Sequence, residues 1–269
     1  MLVLIFVIPL FFLVAKSFQA YVPGTLVSPP GFTLENYINL VSDPYYWSVY
    51  LRTLRISFVS TLVILVLSYP LSVFISKRKA RTRGFFLTLV ILPMIGGAMI
   101  QTMGWFATLM RYGFLNSVLL AIGLISEPIT FLGTELGVEI GLVQAFMPMM
   151  VYPLTSSLLQ IDRDVVDAAR TLGAGRFTVF SKITFPLTLP GVAAGSVLVF
   201  MACLTGFVTP SSLGQGKIQV FGTYAYQQAM QVMNWPLSSS FSIFFIILIA
   251  LASLIVSVVC RKCAERRGR

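Results

Sequence analysis

The sequence predicts an all-α membrane protein with six transmembrane helices, on three observations. Only 10% of the 269 residues are charged and 57% are hydrophobic, whereas a soluble domain carries about a quarter charged residues. Apolar runs near the roughly 20 residues a helix needs to cross a bilayer recur along the chain, and mean hydropathy is +0.89. The net charge of +10 is concentrated: five basic residues fall in Lys77–Arg83 and five in Arg261–Arg269, each cluster abutting an apolar run. That is the arrangement of flanks retained on the cytoplasmic side of a membrane. No aromatic residue interleaves with either cluster, so no surface for stacking nucleic-acid bases is expected.

Six spans are placed at about 2–18, 53–76, 85–109, 137–159, 189–208 and 239–259, in a single transmembrane domain covering 1–269. The first stretch, MLVLIFVIPLFFLVAKSF, has neither the basic n-region nor the small-residue cleavage site of a signal peptide. It is expected to be a first membrane helix, with a cytoplasmic leader missing from its front. Residues 19–51 then carry turn formers in VPGTLVSPPGF and interfacial aromatics in SDPYYW. After the third span, Phe114, Leu115, Val118, Leu119 and Ile122 recur at helical spacing, the pattern of a short helix lying along the outer interface. Breakers stand inside several spans: Pro70, Pro93 with Gly96 and Gly97, Pro148 with Pro153, and Pro190. Such residues are tolerated where neighbouring helices or a water-lined cavity satisfy the freed backbone groups. Both ordinary kinked packing and helices bent around a pathway fit them.

Orientation follows from the loops. Fourteen of the 19 basic residues fall after the second span, after the fourth, or in the tail. The positive-inside rule puts that face, and both termini, in the cytoplasm.

Catalytic chemistry has little to stand on. Histidine is absent, and Cys260 and Cys263 form a CxxC without further ligands, so no catalytic residue and no metal site is expected. The segment SSLGQGKIQ resembles a phosphate loop only superficially, because Ser211 stands where glycine is required and Ile218 where Ser or Thr follows the lysine.

The most informative stretch lies between the fourth and fifth spans, in the cytoplasmic loop at about 160–188. Asp162 is suited to cap a short helix from Arg163 to Leu172, which Gly173 can end in a left-handed conformation. Asp167 can pair with Arg163 and Arg170 along its surface. Val165, Ala168, Ala169 and Leu172 form a small apolar face suited to a protein groove, whereas a lipid-bound helix favours bulky residues and a basic polar face. A second short helix, Arg176–Thr184, is expected to stop where Pro186 starts the next span.

These residues resemble the cytoplasmic signature of permease subunits of bacterial ABC importers: Glu-Ala-Ala, three residues, Gly, nine residues, Ile, one residue, Leu-Pro. Here the pattern reads Asp167, Ala168, Ala169, Gly173, Ile183, Phe185 and Pro186, with Asp for Glu and Phe for Leu. From about Leu51 to Ile247, segments such as IGLVQAFMPMMVYPL, FPLTLPGVAAG and NWPLSSSFSI are similar to the spermidine/putrescine permease group.

The resemblance implies a type I ABC importer permease fold with a coupling helix in this loop. It implies ATPase-coupling roles for Asp167, Ala168, Ala169, Arg170, Leu172, Gly173, Ile183 and Pro186. It also implies a bacterial inner-membrane location and, as partners, a cytoplasmic ABC ATPase dimer, a second homologous permease subunit in a heterodimer, and an external substrate-binding protein. ATP and Mg would belong to the ATPase, with no cofactor held by this chain.

The cargo implied is a small cation, a polyamine such as putrescine or spermidine. The alternatives are an opine, an amino-acid derivative, ferric iron or an anion. Candidate path residues are Glu139, a carboxylate just inside a span, with Trp105 and Tyr112 as aromatic surfaces for an ammonium. Their competing roles are a salt bridge for Glu139 and interfacial anchoring for the aromatics. An ion-coupled secondary transporter is the mechanistic rival, but it calls for repeat symmetry and midplane ionisable residues, which the spans lack.

Overall fold

A bilayer offers no partners to backbone N–H and C=O groups, so a spanning chain must satisfy them within itself. In the computed structural model every regular element among the described residues is helical. The structure describes residues 2–23 and 31–250, leaving out the side chains of residues 2–6 and Arg163. The Cys260–Cys263 motif, the basic tail and the end of the expected sixth span lie outside the described residues.

In chain order the helices are α1 (Leu2–Ser17), α2 (Glu35–Ser42), α3 (Pro44–Ser76), α4 (Ala80–Ile95), α5 (Gly97–Leu109), α6 (Phe114–Ala121) and α7 (Glu135–Leu159). There follow α8 (Arg163–Thr171), α9 (Arg176–Val179), a π-helical turn (Phe180–Thr184), α10 (Phe185–Thr205), α11 (Val208–Leu213), α12 (Phe221–Tyr226) and a second π-helical turn (Gln227–Gln231). The last described helix, α13, runs over Trp235–Ala250. The described residues group into two units, one from 2–52 with 220–250 and one of residues 53–219.

Among the described residues three helices are long and apolar enough to cross a membrane: Pro44–Ser76, Glu135–Leu159 and Arg176–Thr205. The third expected span, 85–109, is not one straight helix. α4 and the following segment, Gly97–Ala121, meet at 89°. Pro93 contributes no N–H to the last turn of α4, and Gly97 adopts φ +77°, a left-handed value that glycine takes without the Cβ clash. The fifth span also differs, since it is continuous with the segment before it and begins far ahead of residue 189.

The first unit is held by aromatic packing. The Tyr50 ring stacks on Phe241 at 4.7 Å and Phe221 on Phe245 at 3.8 Å, while Tyr224 lies 4.8 Å from Phe241. The Asn36 amide donates to the carbonyls of Ser17 and Gln19 at 3.1 and 2.9 Å, tying α2 to the end of α1.

The second unit is built inside out relative to a soluble core. On α3 the buried positions include Thr53, Ser57, Ser60, Ser68 and Ser72, while Phe58, Leu62 and Val66 are exposed. With lipid outside, apolar side chains gain nothing by hiding, and small hydroxyl residues allow close helix contact. Thr61 returns its hydroxyl to the Ser57 carbonyl at 2.7 Å, and Ser72 reaches the Val151 carbonyl of α7 at 3.4 Å.

The most extensive helix contact among the described residues joins α7 and α10. Gly191 and Gly195 form a small-xxx-small face on α10. A Cβ at Gly191 would stand 2.7 Å from the Pro153 carbonyl oxygen, and one at Gly195 2.6 Å from the Met150 sulfur. Gly195→Leu should therefore force the helices apart at a cost of about 1–3 kcal/mol. The check is a lowered midpoint in thermal unfolding of the detergent-purified protein.

Candidate functional site

The loop between α7 and α10 follows from local sequence chemistry. Asp162 caps α8, its carboxylate accepting from the Asp164 N–H at 3.0 Å, which satisfies one of the free donors of the first turn. At the other end Gly173 takes φ +83°. Its N–H donates to the Arg170 carbonyl at 2.9 Å, and that of Ala174 to the Ala169 carbonyl at 3.0 Å. The pair of bonds is a Schellman closure, and it requires a left-handed residue at that position.

The two faces of α8 are distinct. Val165, Ala168 and Leu172 fall at i, i+3 and i+7, an apolar stripe that is open to the surroundings, with Leu172 88% exposed. Phe177, at the start of α9, extends it and is 81% exposed. Sequence reasoning missed Phe177; the signal available was a bulky aromatic just past the glycine elbow. Val166, Asp167 and Arg170 occupy the other side and border an open cleft against the ends of α3 and α7. Asp167 and Arg170 pair at 3.6 Å. Both are mostly exposed, so the pair contributes little to stability. The expected pair of Asp167 with Arg163 rests on a side chain outside those described.

Beyond Gly175 the structure corrects the expected stop before Pro186. α9, the π-helical turn and α10 form one rod over Arg176–Thr205. The Phe185 N–H donates to the Phe180 carbonyl, a five-residue step. The wider step resets the hydrogen-bond register just ahead of Pro186, so its missing N–H does not break the helix. Tyr69 of α3 braces the turn, lying 5.6 Å from the Phe180 ring and 6.0 Å from Phe185. Its hydroxyl is 2.9 Å from that of Thr188. Ile183 is half-buried and Pro186 exposed.

The candidate path residues sit apart from this loop. Glu139 is half-buried on α7, one turn beyond Glu135. Glu135 forms an ion pair with Arg55 of α3, a pairing that sequence reasoning did not assign, and Glu139 lies within electrostatic reach of both. The Trp105 indole N–H donates to the Gln144 side-chain oxygen at 3.0 Å, linking α5 to α7. Tyr112 is 83% exposed in the turn after α5, and among the described residues no hydrogen bond or ring contact joins it to Glu139 or Trp105. At the bend between α4 and α5 a pocket of about 170 Å³ opens, lined by Gln101, Leu142, Phe146, Gly206 and Thr209. The cluster Pro93, Gly96, Gly97 marked the break in sequence, but not the pocket.

Over residues 1–267 the sequence matches the binding-protein-dependent transport system inner membrane component family. The chain belongs to that family. This permease is 35% identical over 254 residues to the spermidine/putrescine transport system permease protein PotB of Escherichia coli (strain K12), covering 94% of this chain and 92% of PotB. Among solved structures, it resembles a chain of a bacterial ABC transporter for import of the acidic polysaccharide alginate, with TM-score 0.76 at 18% identity over 97% of this chain and 91% of that one. A chain of a bacterial alginate ABC transporter in complex with alginate pentasaccharide-bound periplasmic protein gives TM-score 0.75 at 18% identity, covering 94% of this chain and 88% of that one. The fold is thus that of ABC importer permeases, and the protein is a multi-pass inner-membrane transport subunit.

The permease needs its left-handed elbow. Gly173→Val should destabilise the loop end by about 1–2 kcal/mol, read as faster proteolytic nicking within residues 160–188 of the purified protein.

Proposed function

We propose that this permease forms the translocation path of an ATP-driven polyamine importer, and that α8 is the coupling helix on which a separate cytoplasmic ATPase acts. The observation that carries the cargo assignment is the 35% identity to PotB across 94% of the chain. The observation that supports the mechanical role is the capped helix α8, with Leu172 and Phe177 offered outward on a loop continuous with the α10 rod. A partner that closes around α8 would move α10 with it, because no flexible joint separates the π-helical turn from the helix. Rigid-body transmission of this kind converts a cytoplasmic closure into a change of access across the membrane.

In this reading ATP and Mg are held by the ATPase dimer, a second permease subunit completes the path as a heterodimer, and an external binding protein delivers the substrate. Six crossings place both termini in the cytoplasm. Glu139 supplies negative charge to an ammonium in transit, with Trp105 as an aromatic wall; Tyr112 belongs to the outer approach.

Uptake of radiolabelled putrescine and spermidine in cells with and without this chain tests the cargo. Accumulation that depends on the chain is expected, and its absence for both amines rejects the polyamine assignment. Glu139→Gln should lower that uptake about tenfold or more, the scale of losing one charged contact to the substrate, in a protein inserted at normal levels. Leu172→Asp should lower the amount of copurifying ATPase by about tenfold or more, since a lone carboxylate is costly to bury at an interface. Asp167→Lys, on the other side of α8, should lower it less.

A further inference from the structure

On the side of α8 away from Leu172, an open cleft of about 850 Å³ separates the loop from the ends of α3 and α7, within the size range of about 300–1,000 Å³ typical of small-molecule sites. Its lining joins two chemistries. Val73, Leu158 and Phe180 give apolar walls, while Lys77, Arg170 and Arg176 bring three cations against one carboxylate, Asp167. Arg170 is answered by Asp167 at 3.6 Å. Lys77 and Arg176 have no carboxylate partner among the described residues. The neighbouring Arg78 is occupied differently, its guanidinium lying 4.1 Å from the Phe74 ring centroid.

Two unanswered cations on the walls of one cleft favour an anion between them, and they disfavour a cationic cargo. A soluble anion would answer the charges and leave the apolar walls wet. The cleft also lies where the apolar runs of α3 and α7 end, at Ser76 and Leu159, which is the level of lipid headgroups. Basic pockets between membrane helices on the cytoplasmic side are suited to anionic headgroups.

We propose that this cleft binds an anionic phospholipid, with its phosphodiester between Lys77 and Arg176 and its upper acyl chains against Val73, Leu158 and Phe180. Such a lipid wedges behind α8 and props the loop in the posture in which Leu172 and Phe177 face outward. Only the choice of the cytoplasmic leaflet rests on the orientation proposed above.

The test is native mass spectrometry of the assembled transporter released from nanodiscs of phosphatidylethanolamine and phosphatidylglycerol in equal amounts. The wild type should retain phosphatidylglycerol in preference to phosphatidylethanolamine. The double variant Lys77→Gln/Arg176→Gln should retain it about 30-fold less, each lost cation contributing about fivefold. The charge-matched control Arg81→Gln/Arg83→Gln, in the same basic run but outside the cleft, should retain it as the wild type does, and Lys77→Arg/Arg176→Lys should restore it. Equal loss in the control, or no loss in the cleft variant, overturns the proposal. Displacement of the lipid by inorganic phosphate at millimolar concentration overturns it in favour of a soluble-anion site. Polyamine uptake is read separately, so failure of the lipid site leaves the cargo assignment standing, and the reverse.

Discussion

The close approach of α7 and α10 is the contact on which the second unit of the chain depends. These two helices carry the loop bearing α8, and their separation is set by backbone and sulfur atoms where side chains are missing at Gly191 and Gly195. In lipid there is no hydrophobic drive between two apolar helices, so packing of this kind supplies the attraction. The same logic explains the hydroxyl-rich buried face of α3, which meets α7 through Ser72 and α10 through Tyr69. Small groups permit contact: the Thr61 hydroxyl bonds within α3 and that of Ser72 reaches α7, while the buried hydroxyls of Ser57, Ser60 and Ser68 have no partner among the described residues.

From that contact the loop acquires its mechanical character. α8 is closed at one end by an aspartate cap and at the other by a Schellman turn, so its limits are sharp. The chain then re-enters the membrane without a break, because the five-residue hydrogen bond to Phe180 absorbs the defect of Pro186. π-Helical turns of this kind recur at functional positions in helices. The aromatic cluster of Tyr69, Phe180 and Phe185 packs around the position where a helix stop was expected. The bend between the two arms lies at Gly173 to Gly175, where the left-handed Gly173 and the hydrogen bonds of Gly173 and Ala174 back into α8 fix its geometry.

Legibility from sequence followed the range of the interactions involved. Asp162 and Gly173 were readable because caps are decided by residues within one turn. The apolar stripe of α8 was readable from its spacing. Pro93, Gly96 and Gly97 announced a disturbance in the third span, but the 89° angle depends on what α4 and α5 pack against. Pro186 misled, since a proline reads as a stop unless the preceding turn widens, and that widening leaves no mark in composition. The pairing of Arg55 with Glu135 joins residues 80 positions apart, and nothing local selects it over Glu139.

By itself the sequence determined the class of protein, the caps of α8 and the family signature, all of which rest on composition and short-range spacing. Only the tertiary structure decided that α8 has an outward apolar face and an inward charged one. It likewise decided that the second arm and the fifth span are one rod, and that Lys77 and Arg176, 99 positions apart in sequence, share one cleft. Those outcomes depend on which helices come within contact distance, a property of the packed chain that no single segment encodes.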